Sequence, residues 1–216
     1  MLELGKLTRE LVAKEWHCGG RDTVEDKLVI SAINKCDLDP TDRRKHVVHW
    51  LDYYKVLMFV PSDRRNALAD QIIGFADEPR KSLHGDKDRI VSEFNRLMER
   101  ISKVAPQKKS GKPHELTSLT SKALWCCYPD DVPIFDRNAA CALRVISRLC
   151  HLVPEPKQPE YACFVGLWLQ VYNEVEPVIS QEDLFDCPYK VRVLDRLLWY
   201  LGQESFYDVS VGSRPI

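Results

Sequence analysis

Lys122 and Asp136 stand on either side of a short proline-bounded turn in the stretch SKALWCCYPDDVPIFDRNAACAL, Ser121 to Leu143. A lysine amine becomes a nucleophile once desolvation or a neighbouring cation holds part of it neutral. A carboxylate can stabilise positive charge that develops on a reacting group. Each residue also has an ordinary reading. Asp136 precedes the apolar-periodic run Ala139, Ala140, Leu143, Val145 and Ile146, where an N-cap aspartate accepts hydrogen bonds from amides two or three residues on, for about 1 kcal/mol. A lysine on a helix is usually a solvated one.

The elements that must position this pair are helices, since almost every segment has helical rather than alternating periodicity. Leu4, Leu7, Leu11 and Val12 share one face of a first helix that ends at Gly19 and Gly20, residues suited to the turn after a helix. Thr23 caps a second helix through about Lys35, and Asp39-Pro40-Thr41 starts a third whose buried stripe is His46, Val47, Trp50, Leu51 and Tyr54. Ala67, Ile72 and Phe75 mark a short helix after Pro61, and Ile90, Phe94, Leu97, Met98 and Ile101 form the stripe of the next. APQKKSGKPHE then reads as an exposed basic loop. Helices follow near Leu116 to Tyr128, from Asp136 to about His151, from Tyr161 to Val178 and from Tyr189 to Leu201, with PEPKQPE as a rigid linker. The expected fold is all-α, one unit over residues 1–216, with lobes 1–104 and 115–216 joined by the basic loop 105–114.

Composition narrows the classes. With 216 residues, 44% hydrophobic and 29% charged, the chain can bury a core without a disulfide scaffold. Its apolar runs, such as VLMFV, are too short for a bilayer, and charges interrupt every apolar stretch of Met1 to Gly20 that could serve a signal peptide. The eight cysteines include no CxxC pair, and Cys150-His151 alone offers too few ligands for zinc. Reduced thiols in apolar surroundings and no export signal favour the cytoplasm. A net charge of -1 excludes steering by a polycationic surface, yet Lys103 to Arg148 holds eight basic against four acidic residues.

YPDDVPIFDR is similar to the corresponding stretch of archaeal 8-oxoguanine glycosylases, and the chain resembles the helix-hairpin-helix DNA glycosylases, in which a Val-Pro-like approach leads to a catalytic aspartate at a helix start. VPIFDRN, Val132 to Asn138, matches that approach, and TSKAL, Thr120 to Leu124, matches the place of the hairpin and its lysine. Two departures are visible. LTSLTSKAL has Ser118, Leu119 and Thr120 where the family turn has glycine, so Ser118, Thr120 and Ser121 would supply side-chain donors to a phosphate instead of backbone amides. The Lys122–Asp136 interval is also shorter than in the archaeal proteins by roughly four residues, close to one helical turn.

The resemblance implies a compact two-lobed fold of the glycosylase type and cleavage of an N-glycosidic bond in DNA. Asp136 would stabilise the cationic deoxyribose and orient water, while Lys122 would either attack the sugar, giving lyase activity, or contact phosphate, or merely support the turn. Base flipping needs apolar walls, for which Trp125, Tyr128 and Phe135 are candidates. Lys108, Lys109 and Lys112 in the basic loop, with Arg137 and Asn138 after Asp136, are candidates for DNA contact. The implied partner is double-stranded DNA with a damaged or enzymatically modified base, in base excision repair or in antiviral defence against modified phage DNA. No metal, iron-sulfur cluster or other cofactor and no membrane partner are expected, and the chain is expected to act as a monomer. Two rivals remain: a non-catalytic DNA-binding protein on the same scaffold, and a helical protein-interaction module.

Overall fold

A computed structural model describes residues 21–34, 38–58, 60–105, 116–149, 152, 160–181 and 189–203. Among them the fold is all-α, with eight helices and no strand: α1 (Arg21–Asn34), α2 (Pro40–Tyr53), α3 (Ser62–Ala76), α4 (Lys87–Val104), α5 (Thr117–Cys127), α6 (Arg137–Leu149), α7 (Glu160–Gln181) and α8 (Lys190–Leu201). The helix expected from Leu4 to Val12 and most of the basic loop lie outside the described residues. No described helix is long and apolar enough to cross a membrane.

The helix starts follow local chemistry. Asp39 accepts the Thr41 amide at 2.8 Å and Pro40 takes the first helical position of α2, where its missing N–H costs nothing. Asp86 likewise caps α4 by accepting from the Arg89 amide at 3.1 Å. The expected stripes are buried on α2 at Val47, Trp50 and Leu51 and on α4 at Ile90, Phe94, Leu97 and Ile101. His46, Tyr54 and Met98 lie only half-buried at the edges of those stripes.

The described residues divide into two compact units, one within Cys18–Ile134 and one within Phe135–Ile216. In the first, α1 packs on α2 and α5, α2 on α3, α3 on α4, and α4 on α5. The division therefore falls just before Asp136, whereas the sequence suggests the basic loop. The reason is α5, whose residues from Leu119 to Cys127 are all buried against helices of the first unit. In the second unit α8 packs on α6 and α7.

Polar side chains tie the first unit together at depth. Arg43 on α2 donates to the Ala32 and Ile33 carbonyls at 3.0 and 2.9 Å, filling acceptors that the end of α1 leaves open, and its guanidinium grips Asp77 beyond α3 at 2.6 and 3.0 Å. Asp26 on α1 is buried and accepts from Trp50 Nε1 at 2.9 Å and from the Tyr54 hydroxyl at 3.0 Å.

Candidate functional site

Helix α5 carries the lysine. It begins after Leu116 with no side-chain cap, and the Thr120 amide closes its first turn on the Leu116 carbonyl at 2.7 Å. Lys122 is only 5% exposed, and its Nζ donates to Ser118 Oγ, one turn back, at 2.9 Å. This is not the solvated lysine that an isolated helix would suggest. The reason is that α5 is covered on nearly all sides, so the amine must be met by polar atoms of the protein in place of water, and Ser118 on the same helix supplies one.

The same coverage corrects part of the expected phosphate grip. Thr120 and Ser121 are 0% exposed. The Thr120 hydroxyl donates to Met98 Sδ at 3.4 Å, and the Ser121 hydroxyl to the Ser118 carbonyl at 3.1 Å. Their donors are therefore directed inward, away from any phosphate. Ser118 alone of the three keeps partial exposure. Trp125 is corrected in the same way: fully buried, it stacks on Trp50 with ring centroids 5.9 Å apart, so it is core and not the wall of a base pocket.

The turn after α5 is held by groups that the sequence did not bring forward. Arg80 donates to the Cys127 carbonyl and to Asn34 Oδ1, with its guanidinium 5.6 Å from the centre of the Tyr128 ring. Asp131 accepts three hydrogen bonds from the loop before α4: from Ser82 Oγ at 3.1 Å, the Leu83 amide at 2.9 Å and the His84 amide at 3.1 Å. His84 has a φ of 48°, a left-handed backbone for a non-glycine residue, which this clamp holds in place. Tyr128 is buried and its hydroxyl reaches Glu93 at 3.4 Å; burial, with the Glu93 charge beside it, pushes the phenol up to about 12. Burial also pushes the Cys127 thiol up to about 12, which makes it inert. Asp130 is raised by desolvation and by the neighbouring charge of Asp131.

Asp136 belongs to the second unit. Phe135 beside it is buried and meets Phe164 of α7 edge-on at 5.2 Å. The Asp136 carboxylate is half-buried, and Oδ1 accepts the Asn138 amide at 2.9 Å. Its carbonyl accepts the Ala140 amide at 2.8 Å, so Asp136 is the N-cap of α6 that the apolar run predicts. Arg137 is exposed and Asn138 half-buried on the first turn of α6.

Gly202, after α8, braces that turn. A Cβ built on Gly202 would lie 1.9 Å from the Asn138 carbonyl oxygen and 2.3 Å from the carbonyl carbon. Its φ of -86° is open to any residue, so what requires glycine is the close approach of the backbones. The sequence signal was a glycine ending a periodic run, which says helix stop and nothing of what the stop touches.

Lys108, Lys109 and Lys112 lie outside the described residues. Among the described residues no cluster of three or more His, Cys, Asp or Glu side chains is placed to hold a metal ion. No family model matches the chain, and no curated protein and no solved structure matches it significantly.

Proposed function

We propose that this protein is a DNA glycosylase that releases a damaged or enzymatically modified base from double-stranded DNA, with Asp136 as the catalytic carboxylate. The observation that carries the reading is the half-exposed Asp136 carboxylate at the amino end of α6, delivered by the VPIF segment and fixed by the Asn138 amide. The amino end of a helix favours negative charge, and one carboxylate oxygen is committed to that turn.

In this mechanism the bond between base and deoxyribose breaks with positive charge growing on the sugar. The Asp136 carboxylate stabilises that charge and orients the water that attacks it. At about 4 Å, with an effective dielectric of about 20, such an interaction is worth about 4 kcal/mol, or roughly a thousandfold in rate. Lys122, buried and bonded to Ser118, supports α5 in this reading, and water is the nucleophile. Phe135, beside Asp136 in the same unit, remains an aromatic candidate, and Tyr128 remains one in the other unit.

Wild-type protein is incubated with duplexes that carry oxidised, deaminated, alkylated or glucosylated bases, and free base is scored by mass spectrometry. Asp136→Asn keeps an acceptor at the cap and removes the charge, so base release should fall roughly a thousandfold while DNA binding persists. Normal turnover by this variant refutes the role of Asp136. DNA bound without base release on every duplex favours the non-catalytic DNA-binding protein. Borohydride should trap no covalent adduct with active protein, and an adduct lost in Lys122→Ala would restore the lyase mechanism.

A further inference from the structure

Helix α6 has a second surface with its own chemistry. Its basic residues are Arg137, Arg144 and Arg148, and RNAACALRVISRL contains no acidic residue. At 3.6 residues per turn the three arginines fall within about 40° of one another, and all three are exposed. Ala139, Ala142, Leu143 and Ile146 are buried on the other faces of the helix, which packs on α7 and α8, so the arginine row is the side left to solvent. Among the described residues one carboxylate pairs with it, Glu160, 3.4 Å from Arg144, with the two side chains 62% and 61% exposed, and the Asp136 carboxylate stands at the amino end of the same helix. Such an exposed pair exchanges readily for another anion. No ion pair joins Arg137 or Arg148 to a described residue.

In a chain of net charge -1, an acid-free helix with three aligned guanidinium groups is a local positive field. Its length suits an extended polyanion. From Arg137 to Arg148 the helix rises about 16 Å, a span that covers about five phosphates of one strand at ~3.4 Å each. Guanidinium groups also pair with phosphate oxygens in a planar, two-toothed geometry. We propose that the Arg137–Arg144–Arg148 row of α6 is a binding surface for the sugar-phosphate backbone of duplex DNA. The inference rests on the glycosylase reading for its choice of anion, and it adds Arg144 and Arg148, a full two to three turns from Asp136, to the contacts.

The test is the salt dependence of binding of the full chain to an unmodified 20-base-pair duplex, followed by fluorescence anisotropy between 50 and 300 mM KCl. Each phosphate contact contributes about 0.9 to the slope of log K against log salt. Arg144→Ala/Arg148→Ala should lower the slope by about 1.8 and weaken binding roughly tenfold at 100 mM, with an unchanged melting temperature. Arg144→Lys/Arg148→Lys should keep most of the slope. Lys45→Ala/Lys103→Ala, which removes two exposed cations paired with Asp42 and Glu99 on other helices, should leave it unchanged. An unaltered slope in the double alanine variant, or no duplex binding by the wild type, overturns the proposal. So does tighter, arginine-dependent binding to phosphatidylserine vesicles than to the duplex. Base release by the wild type is scored separately: arginine-dependent binding with no released base refutes the enzyme and leaves the surface standing, and released base with an unaltered slope does the reverse.

Discussion

Gly202→Ala adds one methyl group where the protein has room for none. The new Cβ would sit 1.9 Å from the Asn138 carbonyl oxygen, against an ordinary contact of 3.4 Å or more, so the end of α8 and the first turn of α6 must separate by about 1.5 Å. The obstacle is backbone, which cannot swing aside as a side chain does. Overpacking of this kind costs about 1–3 kcal/mol, and the upper end applies here. For a chain of this size about 3 kcal/mol lowers the melting temperature by roughly 6–12 °C. The displaced turn also carries the Asn138 amide that holds Asp136 Oδ1, and a misplacement of about 1 Å at a reacting group costs roughly a hundredfold in rate. Thermal unfolding by circular dichroism and single-turnover base release at 20 °C measure the two effects separately. Gly74→Ala is the paired control: nothing lies within 4 Å of its built Cβ, it is exposed on α3, and alanine there should stabilise by about 0.5–1 kcal/mol. A Gly202→Ala protein that melts with the wild type refutes the close approach. One that melts early yet releases base at the normal rate refutes the coupling of that turn to Asp136.

Other outcomes follow from the first unit. Arg43→Ala removes a buried cation that satisfies two carbonyls and Asp77; because Asp77 is 41% exposed, the loss should be near the lower end for a broken buried pair, about 3 kcal/mol by urea denaturation. Asp131→Ala removes three hydrogen bonds from the Ser82–His84 loop and should cost about 2 kcal/mol, with faster hydrogen exchange at the Leu83 and His84 amides. Exchange at the wild-type rate would mean that Asp131 does not hold the loop. The Arg100 guanidinium, and then Arg96, holds Glu78 below the usual carboxylate range. Its contribution is therefore present above about pH 4.3 and lost as the pH falls further. Glu78→Gln should lower stability at pH 7 and flatten the acid limb of a stability–pH profile, and parallel limbs would contradict this. Cys126 and Cys127 should resist iodoacetamide in the native protein at pH 8, read by peptide mass spectrometry, because both are buried and the Cys127 thiol is pushed up to about 12.

The sequence by itself determined the helices and the cap at Asp136, which precedes an apolar-periodic run and accepts from the amide two residues on; Asp39 and Asp86 cap their helices in the same local way. Such features are local. A cap and the turn it closes lie within four residues, and periodicity reports which side of a helix must avoid water. What only the tertiary structure decided is how much of each helix is covered and by what. The pattern TSLTSKALWCC places five polar residues on α5, and nothing in it says that Thr120, Ser121 and Lys122 are shut in by helices from the far side of a loop. Arg80 and Asp131 act on residues 46 to 49 positions away, and Gly202 is needed by Asn138 across two helices. Contacts at that separation depend on chain path and close packing, which no single stretch of sequence encodes.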